Sequence, residues 1–193
     1  MKNIGLLGGS FDPPHKGHIY ISVEAKKILK LDDIWWLVTP KNPLKISKPA
    51  TYEERIYNCK NLTKNYPIQI KEIEKKIKSN YSFQTINFIQ KHYKNINFFW
   101  LMGADNLINF HQWQKWREIF RSIPIVIFRR HGYNTKALKS ITSKTYNYFK
   151  VSKTNIKKEY FAMLPAWTWI DNKEIKISST AIRKQRELLR GQN

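Results

Sequence analysis

The sequence predicts an α/β fold, with a mostly parallel sheet whose strands are joined by crossover helices. Two patterns carry that expectation. Short apolar runs of strand length alternate with longer stretches of helical periodicity. Clusters of polar residues then follow the apolar runs rather than precede them. In a parallel sheet with right-handed crossovers, such clusters share one edge, where ligands of open α/β sheets sit.

The elements follow in order. Asn3 to Leu7 reads as the first strand and Ile19 to Leu29 as the first helix. Between them lies Gly8-Gly9-Ser10-Phe11-Asp12-Pro13-Pro14-His15-Lys16-Gly17-His18. A Gly-rich turn from strand to helix gathers backbone N–H groups and the positive end of a helix dipole, which suits phosphate. The common G-x-G-x-x-G and G-x-x-x-x-G-K-[ST] loops are both missing, so the two histidines flanking Lys16-Gly17 become the distinguishing feature.

Ile34 to Thr39 is the second strand, leading into Pro40-Lys41-Asn42-Pro43-Leu44-Lys45. Thr51-Tyr52-Glu53-Glu54 has the form of a capping box and opens a helix reaching about Asn65. Ile68 to Ile73 reads as a short strand, and Ser82 as the cap of a helix over Phe83 to Tyr93. Phe98 to Met102 is a strand ending in Gly103-Ala104-Asp105, with a helix after it that has Trp113 and Trp116 near its start. Ile123 to Phe128 is the fifth strand, followed by Arg129-Arg130-His131-Gly132-Tyr133.

Asn134 to Lys158 is polar and weakly periodic, a variable loop or helical insertion. Thr168 to Ile177 has strand character broken at Asp171-Asn172, and Ser178-Ser179-Thr180 caps a last helix over Ala181 to Leu189. No repeat or low-complexity linker divides the chain, so one domain over residues 1–193 is expected.

Composition narrows the class. The single cysteine, Cys59, excludes an internal disulfide framework and fits a reducing cytoplasm. Met1-Lys2-Asn3 precedes no long apolar region, and no run reaches membrane-spanning length, so neither a signal peptide nor a membrane partner is expected. The net charge of +21 comes from lysines scattered through every segment. That spread points to no dedicated nucleic-acid partner, while the charge favours anionic substrates by long-range attraction.

At the strand ends the polar clusters meet. His15 and His18 follow the first strand, Asn42 and Lys45 the second, Gly103 and Asp105 the fourth, Arg130 the fifth, and Ser179 and Arg183 the last. Arg183 lies one turn into a capped helix, so it shares an end with that helix's free N–H groups, making a second anion site. Two such helix ends and a histidine pair suit a polyphosphate held between them.

With GGSFDPPHKGH near its start and ISSTAIR near its end, the chain resembles the HxGH nucleotidyltransferases over nearly its whole length. Asn80-Tyr81-Ser82-Phe83-Gln84-Thr85, Gly103-Ala104-Asp105, Trp113 and Arg129-Arg130-His131-Gly132-Tyr133 make it most similar to the bacterial nicotinate-nucleotide adenylyltransferases. The resemblance implies a Rossmann-like, doubly wound sheet with helices on both faces. It also implies the reaction ATP + nicotinate mononucleotide → deamido-NAD + pyrophosphate, assisted by Mg²⁺ that arrives with ATP and has no dedicated protein ligands. Homo-oligomerisation is open.

Carried over by position, His15, His18 and Arg183 would be catalytic. Gly8, Gly9, Ser10, Phe11, Gly103, Asp105, Ser179 and Thr180 would bind ATP. Asn42, Lys45, Thr85, Trp113, Gln114 and Arg130 would bind nicotinate mononucleotide, Trp113 by stacking. The loop has Leu44 where many members carry histidine. The nearest alternatives on this scaffold take nicotinamide mononucleotide or phosphopantetheine as acceptor. Trp113 and the Tyr81–Thr85 segment argue against phosphopantetheine, which has no aromatic ring to stack. A basic nucleic-acid module that has lost catalysis is opposed by the intact pair of motifs.

Overall fold

The computed structural model describes residues 1–41, 49–157 and 164–190. Its six strands are β1 (Lys2–Gly9), β2 (Asp33–Val38), β3 (Ile68–Lys71), β4 (Ile96–Gly103), β5 (Ile125–Phe128) and β6 (Trp167–Ile170). They lie in the order β3-β2-β1-β4-β5-β6, and every neighbouring pair is parallel. The winding direction reverses between β1 and β4, so the carboxyl ends of those two strands flank the switch-point crevice.

Successive strand residues feed opposite cores, which is why these strands read as unbroken apolar runs. Phe98, Trp100 and Met102 of β4 join one core, and Phe99 and Leu101 the other. The first core is covered by α4 (Ser82–His92), α5 (Ala104–Asn109) and α6 (Trp116–Ser122), the second by α1 (Lys16–Leu29) and α2 (Tyr52–Thr63). This is the doubly wound Rossmann-like architecture. No helix among the described residues is long and apolar enough to cross a membrane.

Several boundaries differ from the sequence reading. The strand around residues 68–73 ends at Lys71, and a short helix, α3 (Ile73–Lys76), follows. After β4 the chain turns straight into α5, then a 3₁₀ turn over Phe110–Gln112, so Trp113 precedes the next helix instead of opening it. Lys115, at φ 52° beside the start of α6, breaks what sequence periodicity joins. Ser82 begins α4 without acting as its side-chain cap.

The polar stretch from Asn134 forms α7 (Asn134–Leu138) and α8 (Ile141–Thr145), and it contributes to the core rather than only decorating it. Tyr146 is buried and stacks on Phe120 with centroids 4.2 Å apart, while its carbonyl accepts from Trp167 Nε1 at 2.7 Å. The last helix, α9, spans Ser179–Arg190.

Candidate active site

The glycine pair extends β1 instead of forming the turn: Gly8 pairs with Leu37 and Gly9 with Val38. A Cβ on Gly8 would sit 2.8 Å from the Trp100 ring, so close approach requires glycine there. The turn is Ser10 to Pro14. Within it Phe11 adopts φ 47°, a left-handed conformation costly for an aromatic residue. Burial holds it, since the ring stacks on Trp36 at 4.6 Å and touches His18 at 4.9 Å. Phe11, expected at ATP, therefore stands beneath the histidines as packing.

The two histidines cap the first helix. His15 is the N-cap of α1, and its Nδ1 accepts from Gly17 N at 3.1 Å; His18 Nδ1 accepts from His15 N at 3.1 Å. A ring nitrogen that accepts an N–H carries no proton, so in the neutral state both rings hold theirs on Nε2. The rings stack with centroids 3.8 Å apart. The glycine between them is required by space: a Cβ on Gly17 would lie 2.9 Å from His15 Nδ1 and 3.0 Å from Ile177 Cγ2. Burial, helped by the nearby Arg130 guanidinium and opposed by Asp105, pushes the His15 pKa down to about 4. At neutral pH His15 is thus an uncharged hydrogen-bond donor.

Residues 166 positions apart meet where α9 docks on this turn. Ser179 Oγ donates to Pro13 O at 2.9 Å, and an Arg183 guanidinium N–H donates to Asp12 O. Arg183 also reaches Thr180 Oγ1 at 3.4 Å and stands 3.7 Å from the Asp12 carboxylate. Ser178 caps the helix, its Oγ accepting from Ala181 N at 3.1 Å. The amino-terminal ends of α1 and α9 are thereby brought to one place.

Gly103 closes β4 as the N-cap of α5, beside Asp105. Arg130 is bound to Asp105 at 2.5 Å, and its charge is felt at His15. Arg130 is not among the residues that line the cavity described next.

At the switch point a cavity of about 350 Å³ opens against Gly8, Gly9 and Thr39 at the strand ends. Trp113, Gln114, Tyr81 and Ser82 close it from the α4–α5 side. Trp113 is half-buried, edge-on to Trp100 at 6.2 Å. Thr85, expected here, is instead fully buried, with its hydroxyl on Glu74 and Tyr81 O and its N–H on Tyr81 O. Only the first-turn N–H groups of a helix lack an internal acceptor, so Ser82, not Thr85, presents the open end of α4 to the cavity. Asn42 and Lys45 lie outside the described residues.

Two further residues escaped the sequence reading. Arg55 is 1% exposed and donates to Ser10 O and Thr39 O at 2.7 Å each, Pro40 O at 2.8 Å and Ala50 O at 3.1 Å. It ties the segments after β1 and β2 together. Its signal is legible, since Arg55, Cys59 and Thr63 share the buried i, i+4, i+8 stripe of α2. Glu74 lines the cavity, but in the sequence it is hidden among the lysines of a charged run.

A cytidylyltransferase-like family profile matches residues 6–185. A relative from Ruegeria sp. (strain TM1040), named probable nicotinate-nucleotide adenylyltransferase, is 41% identical over 94% of this chain and 96% of its own. The chain belongs to the nicotinate-nucleotide adenylyltransferase family. A second member, from Agrobacterium fabrum, is 38% identical over 93% of this chain and 97% of its own. The nicotinic acid mononucleotide adenylyltransferase of Plasmodium falciparum, solved in complex with NaAD, shares the fold with a TM-score of 0.69. It is 18% identical, covering 95% of this chain and 83% of that one. The GGSFDPPHKGH and ISSTAIR segments of this chain meet through Gly17, Ile177, Asp12 and Arg183.

Proposed function

We propose that this chain, acting as one domain, transfers AMP from ATP to nicotinate mononucleotide, releasing deamido-NAD and pyrophosphate. The observation that carries this reading is the meeting of the α1 and α9 ends beside an aromatic-walled cavity at the switch point. Membership of the family supports it independently.

In this reading the triphosphate lies between His15 and His18 on one side and Ser179 and Arg183 on the other. Gly8, Gly9 and Ser10 allow close backbone approach, while Gly103 and Asp105 flank the adenosine. The pyridine ring enters the cavity against Trp113, with Gln114 and the start of α4 about its carboxylate.

The acceptor phosphate has a second pKa of about 6, so its attacking oxygen is already ionised at neutral pH and no general base is required. An oxygen of that phosphate forms a bond to Pα as the bond from Pα to the bridging oxygen of pyrophosphate breaks. The chain's task is alignment and stabilisation of the charge that develops. Neutral His15 donates Nε2–H without adding charge, and the cationic share falls to Arg183 and the two helix dipoles. Among the described residues no three His, Cys, Asp or Glu side chains gather as a metal site. Mg²⁺ would come and go on the ATP oxygens, neutralising phosphate charge there.

The test supplies ATP and Mg²⁺ with nicotinate mononucleotide, nicotinamide mononucleotide or phosphopantetheine and measures pyrophosphate release. Release with the acid acceptor, well above that with the others, is expected. Preference for the amide or for phosphopantetheine would overturn the proposal.

A further inference from the structure

A strained backbone position directs attention to the contacts that maintain it. Phe11 holds φ 47°, a conformation that glycine or asparagine takes readily, yet a buried aromatic ring stands there. That ring packs on two others. It lies nearly parallel to the Trp36 indole, at 13°, and tilted by 53° to the His18 imidazole. Trp36 is itself fully buried on β2, in the same core as Phe11.

The same tryptophan reaches His18 by a second route. Its Nε1–H donates to Ser22 Oγ at 2.8 Å, and that hydroxyl donates to His18 O at 2.9 Å. Ser22 is fully buried, one turn along α1 from His18. One indole therefore supports the imidazole through Phe11 and the main chain of His18 through Ser22. It also lies edge-on to the imidazole at 5.8 Å.

A donor histidine needs such support. The outer torsion of its side chain is broad, so the residue does not fix the plane of its own ring. Turning the ring over would carry Nδ1 away from His15 N and Nε2–H away from the phosphates. A donor that stabilises developing charge must be aligned before reaction, and a displacement of about 1 Å can cost about 100-fold in rate. We infer that Phe11, backed by Trp36, is a positioning residue that keeps His18 Nε2–H turned toward the triphosphate. The inference rests on the proposed function, which gives His18 its task. An aromatic ring suits this role because it constrains the imidazole without competing for its nitrogens. A flexible aliphatic chain would occupy the space and leave the plane of the imidazole free.

The test measures kcat and both KM values for wild type, Phe11→Leu and Leu29→Ala at a temperature where all three are folded. Leu29, buried in the same core at the far end of α1, controls for lost packing. Phe11→Leu should lower kcat by about 10-fold with both KM values within about threefold of wild type, while Leu29→Ala keeps kcat within about twofold. Heteronuclear NMR of isotope-labelled histidine, recorded above the imidazole titration range, gives a readout that lost packing alone does not move. Wild-type His18 should show a bare Nδ1 and a protonated Nε2; in Phe11→Leu the two signals should draw together as the tautomers interconvert. If Phe11→Leu does not fold, Phe11→Met takes its place. Unchanged kcat in Phe11→Leu, an equal loss of kcat in Leu29→Ala, or unaltered His18 signals overturns the inference. His18→Ala with near-normal kcat overturns the proposed roles and this inference together. An impaired His18→Ala beside a fully active Phe11→Leu overturns the inference alone.

Discussion

Arg183 donates to the main-chain carbonyl of Asp12, three residues before His15, so the last helix is fastened to the turn that carries the histidines. In the proposed reaction that guanidinium also faces the triphosphate. Arg183→Ala should lower kcat by about 10²–10³-fold while the thermal midpoint moves little, because the Ser179 hydroxyl still holds α9 to the turn. Steady-state kinetics beside a thermal melt checks this, and His18→Ala should lose turnover on the same scale. Near-normal kcat in both would contradict the assigned roles.

Gly17→Ala should be far worse than a surface glycine substitution. Its methyl would press on His15 Nδ1 and Ile177, the two segments whose contact builds the site. A cost of about 1–3 kcal/mol is expected in urea denaturation, with turnover falling further because His15 is displaced. Unchanged stability and turnover would mean that the segments move apart freely.

Much of this was legible in the chain. Alternating apolar runs identified the parallel sheet because strands buried on both faces carry no polar interruption, as Phe98 to Met102 shows. Histidine spacing and the serine-rich cap marked both helix ends. What escaped depended on contacts between distant elements. Thr85 and Ser82 stand one turn apart on α4, and only helix docking decides which of them meets the cavity. Arg130 depends on a carboxylate 25 residues away. Tyr146 looked like part of a polar insertion, yet the Phe120 ring draws it into the core.

His15 makes stability depend on pH. Its folded pKa, about 4, lies below the ordinary value of 6.5. Between those values the unfolded chain binds a proton that the folded one refuses, so stability falls as pH drops through that window. The full penalty, about 3 kcal/mol, is reached below pH about 4, and none of it remains above pH about 6.5. Urea midpoints for wild type and His15→Asn, which keeps a capping oxygen, should converge at acid pH as wild type loses stability faster. Parallel curves would contradict a neutral His15.

Arg55 should behave as a structural clamp with a kinetic consequence. Arg55→Met leaves carbonyl oxygens of Ser10, Thr39 and Pro40 short of a donor. A loss of about 3 kcal/mol or more is expected. Arg55→Lys should recover little, since one ammonium cannot span the four carbonyls that the guanidinium reaches. Denaturation of both variants, with kcat measured under folding conditions, checks this; full recovery by lysine would show that charge alone suffices.

The most direct measurement is a crystal structure of the chain with a non-hydrolysable ATP analogue. The phosphate oxygens should lie within hydrogen-bonding distance of an imidazole Nε2 of His15 or His18 and also of the Arg183 guanidinium. A triphosphate bound elsewhere, or touching one helix end while the other keeps its distance, would contradict the shared site.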